Sequence, residues 1–516
     1  MKKILILILF LVISTALSSC SVKESSKNSS TRFSTESIST NSSSESSESS
    51  NPFTESSESK TEKKESFTVL GINDTHGQLT DKSDFATTAG YVKEEKDEND
   101  ALFISQGDQF QGSAISNLST GAIFVDALNA AGLDSLTIGN HEFDWGIDKI
   151  QRFRDGNLDN GEANFPILLA NVVSKSNNEL IENFDPYTVL ETNGYKVGVI
   201  GMIGKETYRS ILPANVIDYN FLDEKTTYLK YEKELREKEN VDFVIVSIHY
   251  GSSIMSTFDS LSEDTAPDAV FLGHTHTKEQ GTSSTGIPYV QGQANGTYIS
   301  KIEFDVYDSK VKSFNIENIS TASLKNTPLT EVTNAINEGI QKYSSIINEK
   351  LTYFSGSNSN FKNAIGEYST KLVVDVFSES LGLVYFSVNS GGFRSSPLSD
   401  SDFTYGKLYE IIPFDNTVTI AKVSGATLKG MISSNSTLKY NNPYYCSLDK
   451  SEIIDSEMYT VGAISYVFQN EPIFMGADYI YDTNFVFREI LKEDLVLHET
   501  WNPNTSIGML TEYSGT

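Results

Sequence analysis

The sequence predicts an α/β layered fold with a substantial parallel element, and three observations carry that prediction. Short apolar runs recur between residues 67 and 272, rich in Val, Ile, Leu and Phe. Stretches of helical character separate them, notably Thr120 to Ala131 and the charged segment Leu222 to Glu239, so the order reads β, α, β, α. Each run also stops at a polar cluster, and ligands of such sheets gather beyond the carboxyl ends of the strands.

The first twenty residues read as a targeting segment. Lys2 and Lys3 precede the apolar run Ile4 to Val12, too short for a comfortable membrane span, and Leu17-Ser18-Ser19-Cys20 follows. That tetrapeptide resembles the lipobox of bacterial lipoproteins, which would make Cys20 the lipidated mature N-terminus; the plainer alternative is a simple signal peptide with an incidental cysteine. Residues 21–66 are mostly Ser, Thr, Glu, Lys and Asn. Such a segment buries too little surface to offset its ordering entropy, so a disordered tether is expected, placing the later domains outside the cytoplasmic membrane.

Ordered structure is expected from Phe67. The run Phe67 to Ile72 leads into Asn73-Asp74-Thr75-His76-Gly77, and Ala101 to Ser105 into Gln106-Gly107-Asp108. Leu136-Thr137-Ile138 leads into Gly139-Asn140-His141-Glu142-Phe143-Asp144. Phe243 to Ile248 then runs into His249-Tyr250-Gly251, and Ala269 to Leu272 into Gly273-His274-Thr275-His276. The hexapeptide from Gly139 is poor material for a core. Asn140 offers a neutral oxygen, His141 can be a ligand or a proton donor, and Asp144 is placed to orient His141, although a polar loop capping a strand would also read this way. Of the six histidines, all but His498 fall in these clusters, which makes chance placement a poor explanation. Clusters of Asp, His and Asn without cysteine favour divalent zinc, manganese or magnesium.

Composition narrows the partners. With 69 acidic against 40 basic residues, the formal charge is −29, and a nucleic-acid polymer is excluded because it needs a basic footprint. A small anion needs only a local positive site. Two cysteines rule out a disulfide framework and a thiolate cluster. At 516 residues, two or more domains plus a tail are expected.

The series DTH, GD, GNHEFD, HYG and GHTH resembles the metallophosphoesterases, and specifically the secreted bacterial 5'-nucleotidase family. The resemblance runs from Phe67 to the C-terminus. It implies an αββα-type catalytic domain at 67–325, a linker helix at 326–350 and a second α/β substrate-recognition domain at 351–516. It also implies two divalent ions: Asp74, His76 and His276 would hold one, Asn140, His249 and His274 the other, and Asp108 would bridge them. His141 would meet the developing charge on phosphate, supported by Asp144. Paired cations suit phosphoryl transfer, which asks mainly for positioning and charge neutralisation.

After Lys325, Pro328 to Lys350 reads as a helix with apolar residues at Val332, Ala335, Ile336, Ile340, Tyr343 and Ile347. It either joins two domains or opens the second. Beyond it, Asn389-Ser390-Gly391-Gly392-Phe393-Arg394 resembles a family element whose arginine meets substrate phosphate or carboxylate. Ile412 to Asn416 resembles a loop whose phenylalanine stacks on a nucleobase, and Pro472 to Tyr479 a block that supplies a second phenylalanine. Asn389, Arg394, Phe414, Phe474 and Asp478 are therefore the implied substrate contacts, with Phe414 and Phe474 sandwiching a base. The chain departs from the family where the usual double glycine is Gly476-Ala477 and where Lys371 interrupts Glu367 to Asp375. Nucleoside 5'-monophosphates are the leading expected substrate. Cyclic nucleotides, UDP-sugars or a non-nucleotide ester are alternatives, and a surface ligand-binding protein with a vestigial site is an alternative of another class.

Overall fold

In the computed structural model, the described residues are 65–80, 83–158, 161–308, 310–433, 443–470, 474, 477 and 479–515. The leader, Cys20 and nearly all of the tether lie outside them. Among the described residues no helix is long and apolar enough to cross a membrane.

The strands of the first domain are β1 (Glu65–Ile72), β2 (Leu102–Ser105), β3 (Ser135–Thr137), β4 (Ile167–Leu168), β5 (Val172–Ser174), β6 (Tyr187–Thr192) and β7 (Tyr195–Ile203), followed by β8 (Tyr219–Phe221), β9 (Phe243–His249), β10 (Ala269–Leu272), β11 (Glu279–Thr282), β12 (Pro288–Gln291), β13 (Tyr298–Tyr307) and β14 (Lys310–Ser320). They build two six-stranded sheets, ordered β14-β13-β1-β2-β3-β4 and β11-β12-β10-β9-β7-β6. In the first, β1 to β4 run parallel and β13 and β14 are added antiparallel. In the second, β7, β9, β10 and β12 are parallel, with antiparallel strands at both edges.

Alternation along β1 explains the layering. Phe67 and Val69 point between the sheets and meet Val197, Phe243, Ile245 and Phe271, while Leu70 and Ile72 point outward onto the helices Phe85–Asn99 and Ala122–Ala131. On the far side, Val244, Val246 and Ile248 of β9 pack under Tyr228, Tyr231 and Leu235. Four layers result, helix, sheet, sheet, helix, with central strands such as β2, β9 and β10 buried on both faces and the edge strands β6, β11 and β14 partly exposed. Toward the carboxyl ends the packing turns polar and close. Thr137 Oγ1 donates to Ser247 Oγ (2.7 Å), which donates to the Ser105 carbonyl (3.1 Å). At Gly71 a Cβ would lie 2.6 Å from the Phe271 ring, so only glycine lets the sheets approach there. The five polar clusters thus come from two sheets whose carboxyl ends converge.

The expected helix after Lys325 spans Thr330–Ile347. Val332 and Ile336 are buried in the first domain's helical layer, and Gly339 packs against Ile123. Only its end, at Ile347, reaches the second core. The helix is therefore mainly part of the first domain's packing.

In the second domain the strands are β15 (Lys350–Phe354), β16 (Leu383–Ser387), β17 (Ser401–Thr404), β18 (Thr417–Ser424), β19 (Tyr444–Cys446), β20 (Met458–Ile464), β21 (Tyr479–Val486) and β22 (Thr500–Trp501). Sheets β17-β15-β22 and β19-β16-β20-β18-β21 share one core with the helix Phe361–Leu381, around Phe361, Ile365, Phe386 and Trp501. Lys371 sits on that helix's exposed side, paired with Asp375 one turn on, so this departure from the family pattern lies outside the cleft lining.

Candidate metal centre

The loops after β1, β2, β3, β9 and β10 bring seven side chains together. Asp74, His76, Asp108 and His276 form one group, and Asp108, His249 and His274 another; within each, one ligand atom per residue lies within 4.8 Å of all the others. Asp108 belongs to both. Asn140 Oδ1 joins the second group, 2.8 Å from His274 Nδ1 and 3.1 Å from His249 Nε2.

The hydrogen bonds show that these groups suit cations. His76 Nδ1 faces the Gln111 carbonyl at 2.9 Å and His249 Nδ1 the Gln106 carbonyl at 2.7 Å, so each ring carries its proton there and turns its Nε2 lone pair inward. His249 Nε2 then meets Asp108 Oδ2 and Asn140 Oδ1, both at 3.1 Å, so that nitrogen faces two acceptors and needs a proton or a metal ion between them. His76 Nε2 faces His276 Nε2 at 2.9 Å, and buried Asp74 Oδ1 has no hydrogen bond, its neighbour being His276 Nε2 at 3.3 Å. Only positive charge makes such arrangements favourable. Burial opposes charge on His249, yet Asp108 outweighs it and raises the imidazole to about 10, whereas burial holds His76 down to about 3 and His274 to about 4. Oxygen and imidazole donors of this kind fit zinc, manganese or magnesium.

The ligands sit on unusual backbone. Asp74, His76, Asp108, His274 and His276 all have φ between 50° and 77°, the left-handed region. Such strain persists only where the surroundings over-determine it, and here the loops after β1 and β2 are laced together by Asp74 N to Gly107 O (2.9 Å), His76 N to Asp108 O (3.0 Å) and Gly77 N to Gln109 O (2.7 Å). At Gly139 a Cβ would fall 2.2 Å from Asp108 Oδ1, so glycine is obligatory where the third loop crosses.

Glu142 is the residue that sequence reasoning missed. Fully buried, its carboxylate accepts from the backbone of Asp108 (2.8 Å), Gln109 (2.8 Å) and Gly139 (2.7 Å), clamping the bridging loop to the His141 loop. Burial and the nearby Asp108 push its carboxyl up to about 7. An acid inside an otherwise ligand-rich hexapeptide was the available signal. His141 itself donates its backbone N–H to Asp108 Oδ1 (2.8 Å) and contacts Asp144 Oδ2 through Nδ1 (2.7 Å). Burial disfavours its charge, but Asp144 and Asp108 prevail and raise its pKa.

A cleft of about 460 Å³ opens over these residues, closed from the second domain by Asn389, Arg394 and Phe414. The Phe414 loop is pinned to the first domain, because the Pro413 carbonyl accepts from Gln111 Nε2 (3.1 Å) and Asn117 Nδ2 (2.7 Å). Behind it, buried Arg488 donates to the Ile412 carbonyl (3.1 Å) and pairs with Asp415 (2.5 Å). Phe414 lies between His141, centroid to centroid 5.8 Å, and the Arg394 guanidinium, 5.2 Å from the ring centroid. Asn389 Oδ1 is buried with no hydrogen-bond partner, an acceptor ready for a ligand donor.

The expected aromatic sandwich is corrected at Phe474. Its side chain is only 1% exposed, stacked on Phe468 at 4.5 Å within the second core, and does not line the cleft. Tyr466, which the sequence did not single out, lines it instead. Asp478 lies outside the described residues.

This fold and donor set match the build of the metallophosphoesterases. Residues 67–278 match the calcineurin-like phosphoesterase family and residues 354–484 the 5'-nucleotidase C-terminal domain, and the chain belongs to the family that joins the two, the 5'-nucleotidases. Enzymes of its first-domain class use two divalent metal ions. The chain is 25% identical to the cell wall protein Lmo0130 of Listeria monocytogenes over 73% of its length, spanning 57% of that protein. It is 26% identical to a 5'-nucleotidase of Rattus norvegicus, covering 72% of this chain and 71% of the relative. The crystal structure of a 5'-nucleotidase precursor from Thermus thermophilus superposes with a TM-score of 0.68 at 19% identity, over 85% of this chain and 99% of the other, a likeness of fold.

Proposed function

We propose that the protein releases phosphate from nucleoside 5'-monophosphates or related nucleotides by a two-metal mechanism, outside the cytoplasmic membrane and held there by lipid on Cys20. The observation that carries the reading is Asp108, shared by both acceptor groups directly beneath a cleft that the second domain closes with Arg394 and Phe414. Asp74, His76 and His276 would hold one ion and Asn140, His249 and His274 the other, with Asp108 between them. Two such ions supply charge neutralisation at the phosphoryl oxygens and an acidified water. His141, whose charged form Asp144 and Asp108 favour, faces the phosphoryl group and stabilises charge as the ester bond breaks. Arg394 neutralises substrate oxygens from the opposite wall, Asn389 accepts from a sugar or base donor, and Phe414 offers ring surface to a base. The cell wall relative and the leader motif support the location.

A second reading, a phosphoester without a sandwiched base, is favoured by the burial of Phe474 in the core. One experiment separates the two. If a base rests on Phe414, Phe414→Ala weakens apparent affinity for a nucleotide by about ten- to a hundredfold, the equivalent of roughly 1–3 kcal/mol of stacking, and leaves p-nitrophenyl phosphate hydrolysis nearly unchanged. Equal losses on both substrates would make Phe414 structural, and no loss on either would favour the base-free ester.

A further inference from the structure

One loop braces the metal centre without supplying a ligand to it. This is the link between β12 and β13, and Asn73, only 2% exposed, fastens it to the loop that carries Asp74 and His76. Asn73 Oδ1 accepts from the Gly292 N–H at 2.9 Å, which fixes the orientation of the amide, since an N–H can donate only to its oxygen. Nδ2 therefore faces three oxygens: Asp74 Oδ2 at 2.7 Å, and the carbonyls of Gly292 and Gln293 at 3.1 and 3.0 Å. The Asn295 N–H adds a bond to the Asp74 carbonyl at 2.7 Å. At the start of the same link, Gln291 Nε2 donates to Thr275 Oγ1 and to the Thr277 carbonyl, both at 2.7 Å, and so steadies the segment bearing His274 and His276.

The consequence falls on the fully buried Asp74 carboxylate, whose two oxygens have unlike surroundings. Oδ2 accepts from Asn73 Nδ2 and from the His274 N–H (2.9 Å), whereas Oδ1 accepts no hydrogen bond and stands 3.3 Å from His276 Nε2. A buried carboxylate oxygen without a donor is costly unless a cation meets it. The terminal torsion of an aspartate is broad and nearly two-fold, so with Asn73 removed either oxygen could turn to the His274 N–H. We infer that Asn73 is a positioning residue for one ion: by holding Oδ2 it presents Oδ1 beside His276, and it anchors the ligand-free link behind that arrangement. The role rests on the reading of Asp74 as a metal ligand. It is specific to the group Asp74, His76, Asp108 and His276, because among the described residues the hydrogen bonds of the Asn73 side chain reach no side chain of Asn140, His249 or His274.

The test is calorimetric titration of the metal-free full chain with Mn²⁺, to which the unaltered protein is expected to bind two ions. In Asn73→Ala one ion is expected to bind about 10–100-fold more weakly while the other keeps its affinity. Hydrolysis of p-nitrophenyl phosphate by this variant is expected to need more Mn²⁺ for half-activation and to reach nearly the same kcat once Mn²⁺ saturates. Gly292→Ala reaches the same amide from the other side, because a Cβ there would lie 2.9 Å from Asn73 Oδ1. It is expected to weaken the same ion by a smaller factor, and it carries the test if circular dichroism shows that Asn73→Ala does not fold. Unchanged affinity for both ions would overturn the proposal, and so would an equal loss at both, which would mark Asn73 as a general support of the fold. The two-ion reading fails differently, through an unaltered protein that binds fewer than two ions.

Discussion

The two walls of the cleft are built in opposite ways. On the first-domain side, every proposed ligand stands within five residues of a strand end, on backbone cross-linked by short hydrogen bonds and clamped by Glu142. On the second-domain side, Asn389, Arg394 and Phe414 come from turns whose placement depends on how an entire domain packs. The first wall is therefore stiffened by bonds within its own loops, whereas the second is held by hydrogen bonds that cross from the other domain. At the first wall the family pattern names side chains that the structure brings together; at the second, Asn389, Arg394 and Phe414 line the cleft and Phe474 does not.

The largest expected effect breaks the stiff wall at its shared residue. Asp108→Asn weakens ligation in both groups at once, so elemental analysis is expected to find most metal lost and assays nearly all phosphate release gone. Two retained ions with near-normal turnover would remove Asp108 from its bridging role. His141→Ala sharpens the same point, because His141 stands beside the ligands without completing either group. Metals are expected to stay while turnover drops by about 10²–10⁴. An emptied metal site would show that the division between ligand and transition-state group is wrong.

Smaller effects are expected from residues that only position others. Glu142→Gln keeps the shape but replaces one accepting oxygen by a donating amide opposite backbone N–H groups. Metal affinity is expected to fall by about 10–100-fold and stability by about 1–3 kcal/mol, read by metal titration and by denaturant unfolding. Unchanged metal affinity would mean the loops hold themselves. The smallest effect on function is expected at Phe474→Leu, which loses an aromatic pair worth about 0.5–1.5 kcal/mol and should leave nucleotide KM untouched. A raised KM for nucleotides alone would return Phe474 to the recognition surface and erase the contrast between the walls.

The sequence by itself determined the α/β alternation, the strand ends and the residue types of the metal centre, because strand periodicity and short strand-to-loop spacing are local properties. It also carried the position of the helix Thr330–Ile347, through its apolar period, but not which domain that helix would pack against. Only the tertiary structure decided that the five clusters come from two sheets meeting at Gly71, Ser247 and Thr137, and that Asp108 is common to both acceptor groups. It decided, too, that Glu142 turns inward as a clamp and that Phe474 turns into the core while Tyr466 faces the cleft. Those outcomes depend on contacts between residues far apart in the chain. Phenylalanine in particular gains as much from a packed core as from a ligand, so no local pattern distinguishes the two uses.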